Sequence, residues 1–326
     1  MIEIFFLFLV NLFIIFFFFN PIANILNCYD HPNNLRKIHK KKIAKVGGFL
    51  IIANIIIFYA IISYSMIISK EDFFFIIGCI LFFLLGYFDD KHDFNAYLKF
   101  FFQIIFLFLL LMFNKNFSIN NFYIAFIDKK ILLGQFDIFF TILCCLLFIN
   151  AFNMLDGINL SAGIYTLLLL FFLYLHQNNI IFVVLMSSII FFLIKNYQNE
   201  LFLGNNGSYL LGFILSFFFI NLSKTKFISV EEIFLVMIIP GLDMLRLYIQ
   251  RIYNKKNPFK ADLNHLHHLL LKKFSYNKAI TYLLLILSLP IFLNFFVNSS
   301  KKIYLIGSII FFYFIVIAHL LKKTSK

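Results

Sequence analysis

Long apolar runs separated by short polar segments extend along the whole chain. A helix needs about 20 predominantly apolar residues to cross the hydrocarbon core of a bilayer, and eleven runs come close to that length. They are 4–26, 47–69, 73–88, 98–113, 138–155, 160–176, 179–195, 208–222, 231–248, 279–297 and 303–321. The pattern predicts an all-α polytopic membrane protein with about 11 transmembrane helices in one domain, 1–326.

The polar segments between the runs predict the orientation of the chain. Eleven spans place the two termini on opposite sides of the membrane. With the N-terminus outside, the inside segments carry 20 of the 28 Lys and Arg residues, and an excess of these residues marks cytoplasmic loops. The inside segments are 27–46, 89–99, 150–160, 195–207, 246–278 and 322–326. We therefore predict a plasma (inner) membrane protein with its C-terminus in the cytoplasm.

Two segments need an explicit choice between interpretations. The stretch "INAFNMLDGINLSAG" is polar enough to form a turn, and it is the weakest basis for dividing 138–176 into two spans. The first residues, "MIEIFFLFLVNLFIIFFFFN", lack both a basic region and an A-x-A cleavage site. We interpret them as a retained first span and not as a signal peptide.

Composition excludes several classes of protein. The chain is 62% hydrophobic, far above the content of a soluble domain. Its formal net charge is +13, which in a polytopic protein indicates loops facing anionic lipid more than a nucleic-acid partner. The four cysteines form no CxxC pair, so the sequence predicts neither a disulfide framework nor a zinc site.

Three carboxylates follow an apolar run in "GYFDDKHDF". Asp89, Asp90 and Asp93 lie within five positions. A solvated helix end explains one acid, but clustered carboxylates repel one another unless a cation or a basic partner is near. A divalent ion, a proton that must be moved, or both would explain the cluster.

A second polar group lies in "NAFNMLDG". Asn150, Asn153 and Asp156 are spaced three apart, so on a helix they share roughly one face. Amides and a carboxylate suit a polar ligand such as a nucleotide base or sugar, although Asn also marks helix ends. In "FLGNNGS", the residues around Asn205 fit either a turn between spans or a phosphate-binding helix start.

Two basic segments complete the set of polar groups. "NPFKADLNHLHHLL" brings His265, His267 and His268 together, with Arg251 shortly before it. Three histidines suit a metal or a phosphate. The first inside loop, "DHPNNLRKIHKKKIAKVGG", contains Lys40 and is typical of a lipid-facing topology signal. Under the predicted orientation all five polar groups lie on the cytoplasmic face, as an active site at the inner membrane surface requires.

These motifs, in this order, resemble those of the polyprenyl-phosphate N-acetylhexosamine-1-phosphate transferases, over about residues 27–278. The first loop resembles the family's D-x-P-x-x-x-R-K-x-H…GG pattern. "DDKHD" resembles its aspartate-rich motif, "NAYLKFFFQ" its N-x-x-x-K…Q motif, and "NAFNMLDG" its N-x-x-N-x-x-D-G motif. "HLHH" is similar to the histidine motif of the WecA/TagO-like branch, which uses UDP-GlcNAc and related UDP-sugars.

The resemblance implies a reaction. A polyprenyl phosphate, such as undecaprenyl phosphate, attacks the β-phosphate of a UDP-N-acetylhexosamine, most simply UDP-GlcNAc, and UMP leaves. Mg²⁺, with Mn²⁺ as an alternative, offsets the charge of the diphosphate. The product would initiate a cell-envelope glycan such as O-antigen, capsule or a teichoic-acid-like polymer. The resemblance also makes a homodimer conceivable, and it leaves the sugar epimer and the lipid length open.

The resemblance also implies roles for individual residues. Catalytic roles would fall to the acidic pair, to a further aspartate and to the histidines, and either member of the pair could be the base towards the lipid phosphate. The candidate catalytic residues are Asp89, Asp90, Asp156, His265, His267 and His268. The candidate substrate-binding residues are Lys40, Asn150, Asn153 and Arg251. The candidate metal ligands are Asp89, Asp90, Asp156 and Asn205.

Three departures from the family pattern bear on activity. Asn205 stands where the family has a metal-binding Asp in F-x-G-D-x-G-S. "DGINLSAG" is one residue shorter than D-G-x-D-G-L-x-x-G, with Asn159 for the second Asp, and Ala44 replaces a common Pro. Asn205 motivates a second hypothesis, a catalytically weak UDP-sugar and lipid-phosphate binder. A transporter would need acids near mid-span or inverted repeats, and we find neither.

Overall fold

The computed structural model describes residues 17–32, 41–65, 67–259 and 262–322, together with Leu9 and Phe13. Most of the chain is helical. The helices are α1 Phe17–Leu26, α2 Gly47–Ser65, α3 Lys70–His92, α4 Ala96–Phe113, α5 Asp137–Leu155, α6 Ser161–His176, α7 Ile180–Tyr197, α8 Gly204–Lys224, α9 Val230–Tyr253, α10 Leu266–Lys273, α11 Tyr276–Asn294 and α12 Lys302–Leu321. The strands are β1 Tyr29–Asp30, β2 Ile43–Ala44, β3 Asn121–Ile124 and β4 Lys129–Leu132.

The helices agree closely with the predicted spans. Within the described residues, eight helices are long and apolar enough to cross a membrane, and each coincides with one predicted span. The other three predicted spans contain α1, the 16-residue α6 and the more polar α9. The chain is therefore an all-α polytopic membrane protein, and its span number and orientation stay predictions. The division of 138–176 into two helices is confirmed, with α5 ending at Leu155 and α6 beginning at Ser161.

The structure corrects the length of one predicted loop. Residues 195–207 are predicted as a loop, but α7 continues to Tyr197 and α8 begins at Gly204. The motif "GNNGS" is therefore the first turn of α8. Periodicity did not predict this start because Gly and Asn are poor helix formers, whereas tertiary hydrogen bonds hold this turn.

Local side chains define several helix ends. Ser69 and Asn95 accept hydrogen bonds from the third residue of the helices that follow them, α3 and α4. Ser229 and Glu232 form a capping box at the start of α9. Asp93 has φ +50° and its N–H donates to the Asp89 carbonyl, which terminates α3.

Helix α8 lies at the centre of the bundle. It packs against α2, α3, α5 and α6, and nearly all its residues from Asn206 to Leu222 are buried. Its aromatic residues interlock with α3, where the Phe213 ring stacks on Phe82 with centroids 4.9 Å apart. A helix surrounded by protein on all sides has no lipid-facing stripe, so α8 can carry polar residues at its first turn without exposing them to lipid.

Three helices approach one another unusually closely where α8 begins. A Cβ on Gly86 of α3 would overlap the backbone of Asn205 and Asn206, and a Cβ on Gly48 of α2 would overlap Asn206 and Gly207. Only glycine allows this approach of backbones. The first turn of α8 is consequently held between the start of α2 and the end of α3.

Gly86→Ala is expected to destabilise the protein by about 2 kcal/mol, because the new methyl group collides with backbone that has no room to move. The matched control is Gly241→Ala in α9, where a Cβ meets nothing within 4 Å. That control should be neutral or gain about 0.5–1 kcal/mol from helix propensity. Thermal unfolding in detergent measures both, and equal melting temperatures would contradict the close approach.

Candidate active site

A polar cavity of about 290 Å³ lies where β1, β2, the end of α3, the end of α5 and the start of α8 meet. Its polar lining residues are Asp30, Lys45, Asp90, Asn153, Asp156, Asn159, Asn196 and Asn205. Among the residues predicted from sequence, the cavity thus brings together Asp90, Asn153, Asp156 and Asn205. A cavity lined by carboxylates, amides and one ammonium is suited to a charged, hydrogen-bonding ligand.

The Asp90 carboxylate joins the cavity wall to the first turn of α8. Its Oδ2 accepts from the Asn206 backbone N–H at 3.0 Å and from Asn206 Nδ2 at 2.7 Å. Its Oδ1 lies 3.8 Å from the Lys45 ammonium, which in turn lies 3.2 Å from Asp30 Oδ1. A carboxylate at a helix N-terminus is favoured by the unpaired amides and by the helix dipole.

The neighbouring Asp89 has entirely different partners. Its carboxylate is buried and accepts from the Phe94 N–H at 3.1 Å and from the Tyr209 hydroxyl at 3.0 Å. The Lys99 ammonium lies 2.9 Å away. Asp89 therefore ties α3 to α4 and α8, and it does not line the cavity; its predicted catalytic and metal roles stay predictions.

Asp156 and Asn153 end α5 at the cavity. Asn153 Oδ1 accepts from the Ser208 hydroxyl at 2.5 Å, which fixes the amide against α8. Burial, with a smaller effect of the Asp90 carboxylate, raises the pKa of Asp156 to about 7. Burial thus disfavours the charged form of Asp156, and the nearby Asp90 carboxylate adds to this effect.

Asn150 lies one turn earlier and away from the cavity. Its Nδ2 donates to Gln103 Oε1 and to the Leu146 carbonyl, both at 2.8 Å. The predicted substrate-binding residue is therefore placed as a polar link between α5 and α4. Lys40 lies outside the described residues.

The loop after Asp156 is held by an amide network. Asn159 Nδ2 donates to the Asn196 carbonyl at 3.0 Å, and the Leu160 N–H donates to Asn196 Oδ1 at 2.7 Å. Leu160 has φ +70°, a left-handed conformation that non-glycine residues rarely adopt. The shortened loop predicted from "DGINLSAG" makes its turn at this residue.

The three histidines do not line the cavity, but His267 contacts Gly157 in its wall. His267 is buried, and its ring packs so tightly on Gly157 that a Cβ there would overlap the imidazole. Burial, followed by the neighbouring imidazoles of His268 and His265, lowers the pKa of His267 to about 3. His267 is therefore a neutral imidazole at physiological pH, and through Gly157 it contacts the loop that carries Asp156.

His265 is oriented by a carboxylate network. Its Nδ1 lies 3.0 Å from Asp243 Oδ2, and Asp243 Oδ1 accepts from Arg246 Nη2 at 2.8 Å and from the Tyr313 hydroxyl at 2.9 Å. The network joins α9, α12 and the start of α10. It fixes the position of the histidine motif relative to the bundle.

Arg251 lies at a different cavity, of about 490 Å³. Its Nε donates to Asp262 Oδ2 at 2.8 Å and its Nη1 donates to the Pro258 carbonyl at 2.6 Å. Among the described residues, its buried Nη2 has no hydrogen-bond partner. The structure therefore separates this predicted substrate-binding residue from the cavity of Asp90 and Asp156.

Lys45 is a cavity residue that the sequence analysis did not single out. It is one of several lysines in a basic run, and the run alone gives no reason to prefer it. The pairing of Tyr29 with Ala44 in the β1–β2 sheet places Lys45 next to Asp30. The only local signal is its position two residues before Gly47, at the end of the loop.

The cavity contains donors that fit Mg²⁺ in chemical type. Carboxylate oxygens of Asp90 and Asp156 and amide oxygens of Asn153 and Asn205 are hard ligands. Burial raises the pKa of Asp156, so a metal ion beside it would favour its charged form. Among the residues that the structure describes, no three His, Cys, Asp or Glu residues are grouped to hold a metal. Amides would therefore have to complete the ligand set.

Comparison with known proteins points to one family. Residues 72–223 match the model of the family described as glycosyl transferase family 4, and this range includes Asp89, Asp90, Asn153, Asp156 and Asn205. Residues 72–223 are thus similar to glycosyl transferase family 4. The resemblance found from the sequence motifs is thereby confirmed.

Similarity to individual curated proteins covers a longer part of the chain. The undecaprenyl-phosphate α-N-acetylglucosaminyl 1-phosphate transferase of Escherichia coli K12 is 27% identical over 270 residues, which are 78% of this chain and 72% of that protein. A probable undecaprenyl-phosphate N-acetylglucosaminyl 1-phosphate transferase of Bacillus subtilis is 26% identical over 261 residues, 77% of this chain and 71% of that protein. The alignments with these two proteins therefore cover more than three quarters of the chain.

In the absence of metal, Asp156→Asn is expected to raise the melting temperature at pH 8. The folded pKa of about 7 lies above the ordinary value of 3.8, so the unfolded chain binds fewer protons and the natural protein loses stability as pH rises. The asparagine variant has no such loss. Unfolding in EDTA should show a larger difference between variant and natural protein at pH 8 than at pH 5; an equal difference would contradict the shifted pKa.

The turn at Leu160 gives a second stability prediction. Leu160→Gly should be more stable than Leu160→Ala by about 1 kcal/mol, because only glycine avoids the steric cost of the left-handed conformation. Both variants lose the leucine side chain, so their comparison isolates the backbone effect. Alanine as stable as glycine in thermal unfolding would show that the turn is not strained.

Proposed function

We propose that the chain transfers an N-acetylhexosamine 1-phosphate, most simply GlcNAc 1-phosphate, from a UDP-sugar to a polyprenyl phosphate such as undecaprenyl phosphate. UMP is the second product. The activities for which the relatives are named support the reaction class and give no support to the binding-only hypothesis. The reaction takes place in the plasma membrane with the active site on the cytoplasmic face, and its product initiates an envelope glycan.

The observation that carries this proposal is the position of the cavity. Acids and amides gather at one end of an otherwise apolar bundle, where α3 and α5 end and α8 begins. A reaction between a water-soluble nucleotide and a membrane-bound phosphate requires a polar site at the bilayer surface. The apolar outer faces of helices such as α4, with Phe101 and Phe108 exposed, leave the prenyl chain in lipid.

The reaction is a phosphoryl transfer. An oxygen of the lipid phosphate attacks the β-phosphorus of the UDP-sugar, the bond from that phosphorus to the bridging oxygen breaks, and UMP leaves with the bridging oxygen. Mg²⁺, or Mn²⁺ in its place, would supply positive charge to the diphosphate. Asp90, Asp156 and Asn205 would hold the ion by their side-chain oxygens.

The remaining residues position the substrates. Asn153, fixed by Ser208, presents its amide nitrogen to the nucleotide. A carboxylate oxygen of Asp156 that does not hold the ion can accept a proton from a protonated lipid phosphate, whose second pKa is about 6. The neutral His267 supports the Asp156 loop through Gly157.

UMP release by the purified protein tests the proposal. With UDP-GlcNAc, undecaprenyl phosphate and Mg²⁺, the natural protein should turn over, and Asp90→Asn should lose on the order of 10²-fold or more in rate. Asn205→Asp should turn over at a lower Mg²⁺ concentration, because a carboxylate binds the ion more strongly than an amide. Turnover by Asn205→Asp alone would overturn the proposal in favour of a binding protein.

A further inference from the structure

Lys45 is the one cationic side chain among the residues that line the polar cavity. Its backbone is fixed on both sides: the N–H donates to the Cys28 carbonyl at 3.0 Å and the carbonyl accepts from Asn206 Nδ2 at 2.8 Å. Its side chain is 23% exposed. The ammonium therefore has a defined position in the cavity wall and retains access to the cavity.

Two carboxylates hold this ammonium without using all its donors. Asp30 Oδ1 lies 3.2 Å from Nζ, whereas Asp90 Oδ1 lies at 3.8 Å, too far for a hydrogen bond. An ammonium has three N–H donors. The two acids keep Lys45 charged in a partly desolvated site, and at least one donor stays free to meet a ligand in the cavity.

The charges of the cavity explain why such a donor is needed. A nucleotide diphosphate brings at least two negative charges into a site that already contains Asp30, Asp90 and Asp156. Asn205 contributes no charge, so the site has one carboxylate fewer with which to bind a divalent ion than a site with aspartate there. A fixed lysine offsets part of the phosphate charge that would otherwise fall on the metal alone.

We propose that Lys45 is a substrate-binding residue whose ammonium contacts the diphosphate of the UDP-sugar, and that it allows this Asn205-containing site to bind the nucleotide without a divalent cation. The inference rests on the proposed function, since it names a ligand of the same site. It assigns Lys45 a role towards phosphate. In the simpler alternative, Lys45 only bridges the acids of β1 and α3 and thereby stabilises the fold.

Binding of UDP-GlcNAc and of uridine to the purified protein separates the two roles. Calorimetry in EDTA should show that Lys45→Met weakens UDP-GlcNAc binding by about tenfold to hundredfold, the range for a hydrogen bond to a charged group. Competition should show uridine binding unchanged, because uridine has no phosphate. Saturating Mg²⁺ should recover part of the UDP-GlcNAc affinity of the variant.

The controls distinguish a phosphate contact from a loss of folding. Lys42→Met removes an equal charge from the same loop, but Lys42 is exposed and lies over the Tyr29 ring, so UDP-GlcNAc affinity should not change. Lys45→Arg should keep most of the affinity in EDTA. The double variant Asp30→Asn with Lys45→Met removes one acid and one base together; it should still bind UDP-GlcNAc weakly, and melting temperatures confirm that it is folded.

Each result has one interpretation. Equal weakening of uridine and UDP-GlcNAc by Lys45→Met, or full UDP-GlcNAc affinity in the charge-balanced double variant, would overturn the phosphate role of Lys45. Natural protein that neither binds UDP-GlcNAc with Mg²⁺ nor releases UMP would instead overturn the proposed function. Natural protein that binds UDP-GlcNAc with Mg²⁺ but not in EDTA would overturn only the claim of metal-free binding.

Discussion

The hydrogen bonds between Asp90 and the first turn of α8 are the interaction on which the site depends. One carboxylate oxygen accepts both the backbone and the side-chain N–H of Asn206, and the same amide group donates to the Lys45 carbonyl. Three segments far apart in the sequence are thus joined within a few ångströms. This junction is sterically possible only because Gly48 and Gly86 have no Cβ. The hydrogen bonds of Asp90 and the close backbone contacts therefore involve the same turn of α8.

The two adjacent acids at this junction, Asp89 and Asp90, have different roles. Asp89 points into the bundle, where Tyr209, Lys99 and the Phe94 N–H satisfy its carboxylate. Asp90, one position on, points towards the cavity. A helix turns about 100° per residue, so neighbouring side chains at its end face different surroundings. A paired-aspartate motif can therefore combine a structural anchor with a ligand-facing carboxylate.

Sequence patterns predicted the helices well and the cavity in part. Apolar runs of membrane length have few alternatives to a helix in lipid, so the spans follow from hydropathy; the β hairpins and the short α10 have no such signal. Asp90, Asn153 and Asp156 were predicted as site residues from sequence. Polar side chains at the ends of apolar runs cost free energy unless they bind a ligand or a partner. Lys45 was not predicted, because its surroundings arise only when β1 pairs with β2. Asn150 shares a face with Asn153 in sequence, yet Gln103 of α4 takes its amide.

The buried position of α8 has a consequence for biogenesis. Its mean hydropathy is 1.3, against 2.0 to 2.3 for six of the other seven long apolar helices in the described chain, so α8 is poorly suited to enter lipid alone. Its packing partners α2, α3, α5 and α6 all precede it in the chain. During synthesis they are made before α8 emerges from the ribosome. Because of this order, a protein surface is already present when α8 is inserted. The polar first turn of α8 is then the last of the cavity-forming elements to be added.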